Sequence, residues 1–334
     1  MDYGAPWWLP GGHLQTVWAA LRSRRVSGPA PVFERERWNT PDGDFLDVDW
    51  LRRGADPSQA MGQAEAKAPL LVLFHGLEGS SQSQYAQAMA CVAAQRGWRF
   101  AVPHFRGCSG QLNLAPRAYH SGDHEEIGWV LARFRAVHAG PLLAAGVSLG
   151  GNALLRWAGE RGRQAAAQVK AVAAICSPLD LMAGGLAMGQ GLNRHLYTPM
   201  FLKTMVPKAL AKLDQHPGLF DRQALLRARD LYEFDNVFTA PLHGFADTPD
   251  YWRRASALPV MREIAVPALA LNARNDPFVP AASLPRPEQV SASVTLWQPQ
   301  QGGHVGFPTA DRPWPATHVL TMPDAVASFL AGAL

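Results

Sequence analysis

Charge and cysteine are both scarce in this chain. Lys, Arg, Asp and Glu make up 17% of its 334 residues, while 48% are hydrophobic. That balance excludes a disordered polyelectrolyte and leaves enough apolar material for a large core. Lys plus Arg exceeds Asp plus Glu by only four, and the densest basic run is Arg22-Ser23-Arg24-Arg25. Such a run reads as a solvated helix end and gives no reason to expect a nucleic-acid partner. The three cysteines, Cys91, Cys108 and Cys176, are odd in number and widely spaced. They make no disulfide framework, and without a Cys-x-x-Cys pair they suggest no zinc site. No stretch reaches the ~18 uncharged apolar residues of a spanning helix. Met1-Asp2-Tyr3 lacks the basic lead of a signal peptide. Neither a Walker loop nor a strand-following G-x-G-x-x-G occurs, and no internal repeat is visible. The expectation is a soluble cytoplasmic enzyme with no cofactor and no metal; its oligomeric state is not legible.

Strand and helix signals alternate instead. Residues 32–38 and 45–51 read as strands joined by a turn at Pro41-Asp42-Gly43-Asp44. Residues 53–69, rich in Ala, Gly, Gln and Pro, read as a loose loop. Residues 70–74 (LLVLF) form a continuous apolar run, as in a strand buried on both faces. A helix over 81–96, a strand over 98–103, a helix opening on a capping box (Asp123 with Glu126), a strand over 142–147, a helix over 150–161 and a strand over 169–176 follow. The rhythm breaks over 177–259, which has no clear strand and is rich in Met, Leu and aromatics. It resumes with strands at 268–272 and 294–297 and a helix over 324–334. Such alternation predicts an α/β fold: a mostly parallel sheet of about eight strands, helices on both faces, and a helical lid inserted between two strands. The division is an N-terminal extension (1–31), a first core part (32–176), the lid (177–259) and a second core part (260–334).

Gly146-Val147-Ser148-Leu149-Gly150 matches G-x-S-x-G, directly after a buried strand and before a helix. That setting suits a serine nucleophile lifted above a sheet edge on a sharp turn. A serine hydroxyl needs a base to take its proton, and in this arrangement acid and base follow in chain order. Asp276 and His304 lie on loops after the next two strands, at the carboxyl edge where ligands bind open α/β sheets. His304 is the candidate base and Asp276 the group that fixes its tautomer; Asp180 is the rival acid. After LLVLF comes His75-Gly76-Leu77-Glu78-Gly79-Ser80. The backbone N–H groups of Leu77 and Leu149 are candidates for an oxyanion hole. His75 reads as structural. Arg106, His120 and Asp123 could line the site or simply order their loop. Met182 and Met188, with other flexible apolar residues of the lid, suit a lipophilic ester, and equally a lid core.

Longer segments carry a family resemblance: residues 6–16 (PWWLPGGHLQT), 75–81 (HGLEGSS), 105–110 (FRGCSG), 116–123 (PRAYHSGD), 148–152 (SLGGN), 239–245 (TAPLHGF), 275–278 (NDPF) and 302–307 (GGHVGF). With these, almost the whole chain resembles the YheT-like branch of the α/β-hydrolases. That branch includes bacterial carboxylesterases and membrane-anchored phospholipases and lipid esterases of animals and plants. The resemblance implies the α/β-hydrolase fold, serine ester hydrolysis, and a triad on Ser148, Asp276 and His304. Two positions depart from the pattern. His104 stands where relatives usually carry Asn, and Asn275 where Asp is common; both are expected near the substrate. The animal relatives' membrane anchor has no counterpart. Trp7, Trp8, Leu9 and Trp18, with Arg22, Arg24 and Arg25, suit a strut packed on the sheet, or contact with a membrane surface. Acyl transfer to an alcohol would use the same triad, and a non-catalytic binding protein would normally have lost one of its members.

Overall fold

The computed structural model describes residues 3–22, 30–52, 67–310 and 317–334. Arg24, Arg25 and most of the loop expected over 53–69 lie outside the described residues. After a first helix, α1 (Gly11–Arg22), eight strands form one sheet: β1 (Phe33–Asn39), β2 (Phe45–Leu51), β3 (Leu70–Phe74), β4 (Arg99–Pro103), β5 (Leu142–Val147), β6 (Ala171–Ile175), β7 (Ala268–Leu271) and β8 (Val294–Trp297). Their order is β1-β2-β4-β3-β5-β6-β7-β8. β1 and β2 are antiparallel to their neighbours, and β3 to β8 run parallel.

Three helices sit between the strands of the first core part: α2 (Gln84–Gln95), α3 (His124–Val137) and α4 (Leu149–Arg161). The apolar run of β3 explains the layering. Leu70, Val72 and Phe74 enter one core with Ile127, Val130 and Phe134 of α3. Leu71 and Leu73 enter the other core, against Tyr85 and Met89 of α2 and Val326 of the C-terminal helix Thr321–Ala331. Each Leu buried this way contributes about 1.5–3 kcal/mol, so both faces must be covered by helices.

The chain between β6 and β7 is helical: α5 (Leu181–Met188), α6 (Gly191–Leu196), α7 (Thr198–Gln215), α8 (Arg222–Arg227), α9 (Leu231–Phe234), a π-helical turn (Asp235–Thr239) and α10 (Thr248–Ala255). One local expectation fails. Asp123 precedes α3, but its side chain makes no cap. Asp123 instead accepts from Arg117, and Glu126 accepts from Arg106. A guanidinium makes a charge-assisted bond, stronger than one from a neutral backbone N–H.

α1 meets the 302–304 loop through Gln15 and Thr16, and packs on Ala88 of α2 and on Val319 and Leu320 through Ala19 and Trp18. Gln15 and Ala19 are fully buried there, while Trp7 is 89% exposed.

Candidate active site

β5 delivers the chain to Ser148 and α4 takes it away. The turn between them is strained: Ser148 has φ 52° and ψ −118°, a region costing of order 1–3 kcal/mol for a non-glycine residue. Glycine is required on both sides. A Cβ on Gly146 would stand 2.4 Å from the Gly150 oxygen, and one on Gly150 would stand 2.5 Å from the His75 oxygen. The Ser148 N–H donates to the Ile175 oxygen at 2.8 Å, which ties the turn to β6.

Three side chains meet in a line. Ser148 Oγ lies 3.1 Å from His304 Nε2, and His304 Nδ1 lies 2.8 Å from Asp276 Oδ2. Asp276 Oδ1 accepts from the N–H groups of Phe278 (2.8 Å) and Val279 (3.3 Å). The acid is thus oriented by its own loop. A carboxylate beside Nδ1 places the ring proton there and leaves Nε2 to accept from the serine. Asp180 does not take part; it caps α5 by accepting from Ala183 N. His75 is fully buried between the Gly76 oxygen and the Phe105 N–H, and burial pushes its pKa down to about 3.

Among the described residues the two candidate oxyanion donors are not engaged elsewhere. In the loop after β3, Gly76 N donates to Tyr85 Oη, Glu78 N to Tyr119 Oη, and Gly79 N to the Gly76 oxygen. Leu77 N, between them, has no acceptor among the described residues. Leu149 N opens α4 and has no intrahelical acceptor. Leu77 and Leu149 both line the same cavity as Ser148 and His304.

That cavity measures about 150 Å³ and is roofed by the inserted helices. Its walls are chiefly apolar, with Leu181, Met188, Phe201, Met205 and Phe238 among them. The expected pocket residues divide. His120, Arg106 and Met188 line it. The His120 ring is neutral, its pKa pushed down to about 3 chiefly by burial. Its Nδ1 accepts from Gly122 N, so Nε2 carries the proton. The Arg106 guanidinium is already held by Asp42, Asp44 and Glu126. His104 and Met182 are not in the wall, which corrects that expectation. His104 pairs with Asp49 at 2.8 Å inside the fold, and Met182 packs on the Leu181–Trp252 cluster.

Several polar wall residues escape the sequence reasoning, Glu78, Tyr119, Lys208 and Asp235 among them. Glu78 accepts from Tyr119 Oη at 2.9 Å and from Lys208 of α7, which closes to 2.9 Å. Asp235, on the π-helical turn, accepts from Thr239 Oγ1 and Trp252 Nε1; burial raises its pKa to about 6. Glu78 and Tyr119 fall within the HGLEGSS and PRAYHSGD segments, which could have flagged them. Lys208 and Asp235 carry no sequence signal. Cys176, Asp276 and His304 offer atoms within 4.8 Å of one another. Burial and Asp276 push the Cys176 thiol well up, keeping it a protonated, poor metal ligand. Among the described residues no helix is long and apolar enough to cross a membrane.

Residues 69–311 match the family model described as alpha/beta hydrolase fold. The "Putative esterase YheT" of Escherichia coli (strain K12) is 39% identical over 298 residues, covering 88% of this chain and 84% of that protein. "Phospholipase ABHD3" of Homo sapiens is 29% identical over 306 residues, covering 90% and 72%. Among solved structures, ferulic acid-bound Est1E from Butyrivibrio proteoclasticus superposes with a TM-score of 0.54 at 16% identity, covering 90% of this chain and 98% of that one. At that identity the likeness speaks for the fold alone.

Proposed function

The chain belongs to the α/β-hydrolase fold family, in the YheT-like branch, and from that premise we propose that it is a serine hydrolase cleaving lipophilic carboxylic esters through an acyl-serine intermediate. The observation that carries the reading is the unbroken line from Ser148 Oγ through His304 to Asp276, on the wall of an apolar cavity. The esterase and phospholipase names of its relatives support the same class.

His304 Nε2 takes the Ser148 proton as Oγ attacks the ester carbonyl. The tetrahedral oxyanion is held by Leu77 N–H and Leu149 N–H, with the N-terminus of α4 adding its dipole. Collapse breaks the ester C–O bond, and His304 returns the proton to the leaving alcohol. Water then repeats the cycle: its proton goes to His304, its oxygen to the acyl carbon, and the acid leaves as Ser148 recovers its proton. General base catalysis contributes about 10²–10⁴-fold, and each oxyanion donor about 10²–10³-fold. A cavity of about 150 Å³ is the size that holds benzene in an engineered core, so a short to medium acyl chain is the proposed fit. The free thiols Cys91, Cys108 and Cys176 suit the cytoplasm.

The test is hydrolysis of p-nitrophenyl esters from acetate to dodecanoate by wild type and Ser148→Ala. Activity lost in the variant, with an optimum at short or medium chains, is the expected result. Equal rates in both proteins would remove Ser148 as the nucleophile.

A further inference from the structure

We propose that α1 is a positioning element of the active site, its Gln15 and Thr16 side chains holding the His304 loop in a conformation that the loop does not favour alone. The proposal rests on the reading of His304 as general base. Between residues 302 and 307 the backbone enters positive φ at Gly302 (151°), Gly303 (63°), Val305 (57°) and Phe307 (43°). For a β-branched residue such as Val305 that region is an outlier, so something outside the loop must impose it.

The hydrogen bonds identify what does. Four consecutive backbone N–H groups end on four side chains from three other segments. Gly302 N donates to Gln15 Oε1 (2.9 Å), Gly303 N to Asn275 Oδ1 (3.0 Å), His304 N to Thr16 Oγ1 (2.8 Å) and Val305 N to Cys176 Sγ (3.2 Å). The holders are themselves held. Gln15 Oε1 also accepts from Asn275 Nδ2 (3.0 Å), and Gln15 Nε2 donates to the Leu9 oxygen (2.9 Å). Thr16 Oγ1 donates to the Gly12 oxygen (2.7 Å). Backbones touch as well: a Cβ on Gly306 would stand 2.5 Å from the Gln15 oxygen.

Gln15 bonds both the loop before His304 and Asn275, the neighbour of Asp276. One buried amide therefore fixes the separation of acid and base, while Thr16 fixes the His304 backbone directly. Neither side chain lines the cavity. Their loss should therefore act on the step in which His304 takes a proton and leave substrate binding alone. An error of about 1 Å in such a group costs about 10²-fold in rate.

The experiment compares Gln15→Leu, Thr16→Val and Thr16→Ser with wild type. The readouts are kcat and KM on p-nitrophenyl butyrate, the rate of Ser148 labelling by a fluorophosphonate, and hydrogen exchange at the 302–305 amides. Expected are losses of about 10²-fold in kcat and in labelling for Gln15→Leu and Thr16→Val, KM unchanged, faster exchange confined to the loop, and recovery in Thr16→Ser. Folded Thr16→Val with wild-type kcat and exchange overturns the proposal, as does a Thr16→Ser variant as impaired as Thr16→Val. Should Gln15→Leu fail to fold, the two Thr16 variants carry the test. A wild type with no Ser148-dependent turnover would count against the esterase reading alone, and loop exchange in Thr16→Val would still decide this one.

Discussion

The corner of the site around His304 and the wall contributed by the inserted helices are built from different materials. Around His304, consecutive N–H groups are satisfied by side chains of α1, the Asp276 loop and the end of β6. Along the wall, Leu181, Met188, Phe201 and Met205 present flexible apolar surface. The wall has polar ties as well: Lys208 reaches Glu78, Lys212 reaches the oxygens of Asn113 and Ala115, and Asp235 accepts from Thr239 and Trp252. Directional bonds fix a proton-transfer geometry to fractions of an ångström. Apolar packing is non-directional and can tolerate substrates of several shapes. The His304 corner is therefore held more tightly than the apolar wall.

Substitutions on either side should separate the two behaviours. The largest effect is expected from Asp276→Asn, which keeps the shape but favours the wrong histidine tautomer. We expect kcat on p-nitrophenyl butyrate to fall about 10⁴-fold, and a fall under tenfold would deny Asp276 its role. Gly76→Ala comes next. Its Cβ would stand 3.3 Å from Ser148 Cβ, close enough to shift the serine by a few tenths of an ångström; a loss of about tenfold in kcat with KM unchanged is expected. Phe201→Ala, on the apolar wall, should leave kcat nearly intact and raise KM for butyrate about tenfold. The chain-length series should shift its optimum to longer esters, and an unmoved optimum would remove Phe201 from the acyl path.

The smallest effect concerns the stability of the wall. The raised pKa of Asp235, about 6 against an ordinary 3.8, means the folded state favours the protonated acid. Its contribution is therefore fully present below about pH 4 and is lost as pH rises through 6. Asp235→Asn removes that loss, so the variant's Tm relative to wild type should rise by a few degrees between pH 5 and pH 7.5. A pH-independent difference would show that Asp235 is not held ionised against burial.

Much of the fold and of the site is legible in the residues themselves. LLVLF reads as a strand covered on both faces, and the glycines of G-x-S-x-G announce a turn with no room for side chains. Chain order leads to Asp276 and His304. Less legible are features that depend on competition between partners. Asp123 and Glu126 have the spacing of a capping box, but Arg117 and Arg106 arrive from elsewhere and offer stronger bonds. His104 sits next to a site loop in sequence, yet Asp49 on β2 draws it inward. The aromatic cluster near the N-terminus suggests a strut on the sheet; Trp18 does pack with Ala88 and Val319, while the polar Gln15 and Thr16 beside it bond the loop at 302–304, which nothing local announces.

The alternation of strands and helices, the tight turn at Ser148 and the order of Ser148, Asp276 and His304 along the chain all follow from the amino-acid sequence. They rest on local steric rules and on hydrophobic periodicity, which are written in neighbouring residues. Which acid meets His304, which N–H groups remain open to an oxyanion, and what holds the histidine loop are matters of tertiary structure. Each is settled by the pairing of hydrogen-bonding groups up to 288 residues apart, as between Thr16 and His304. A buried donor must find an acceptor, but the residues around it do not say where that acceptor will come from.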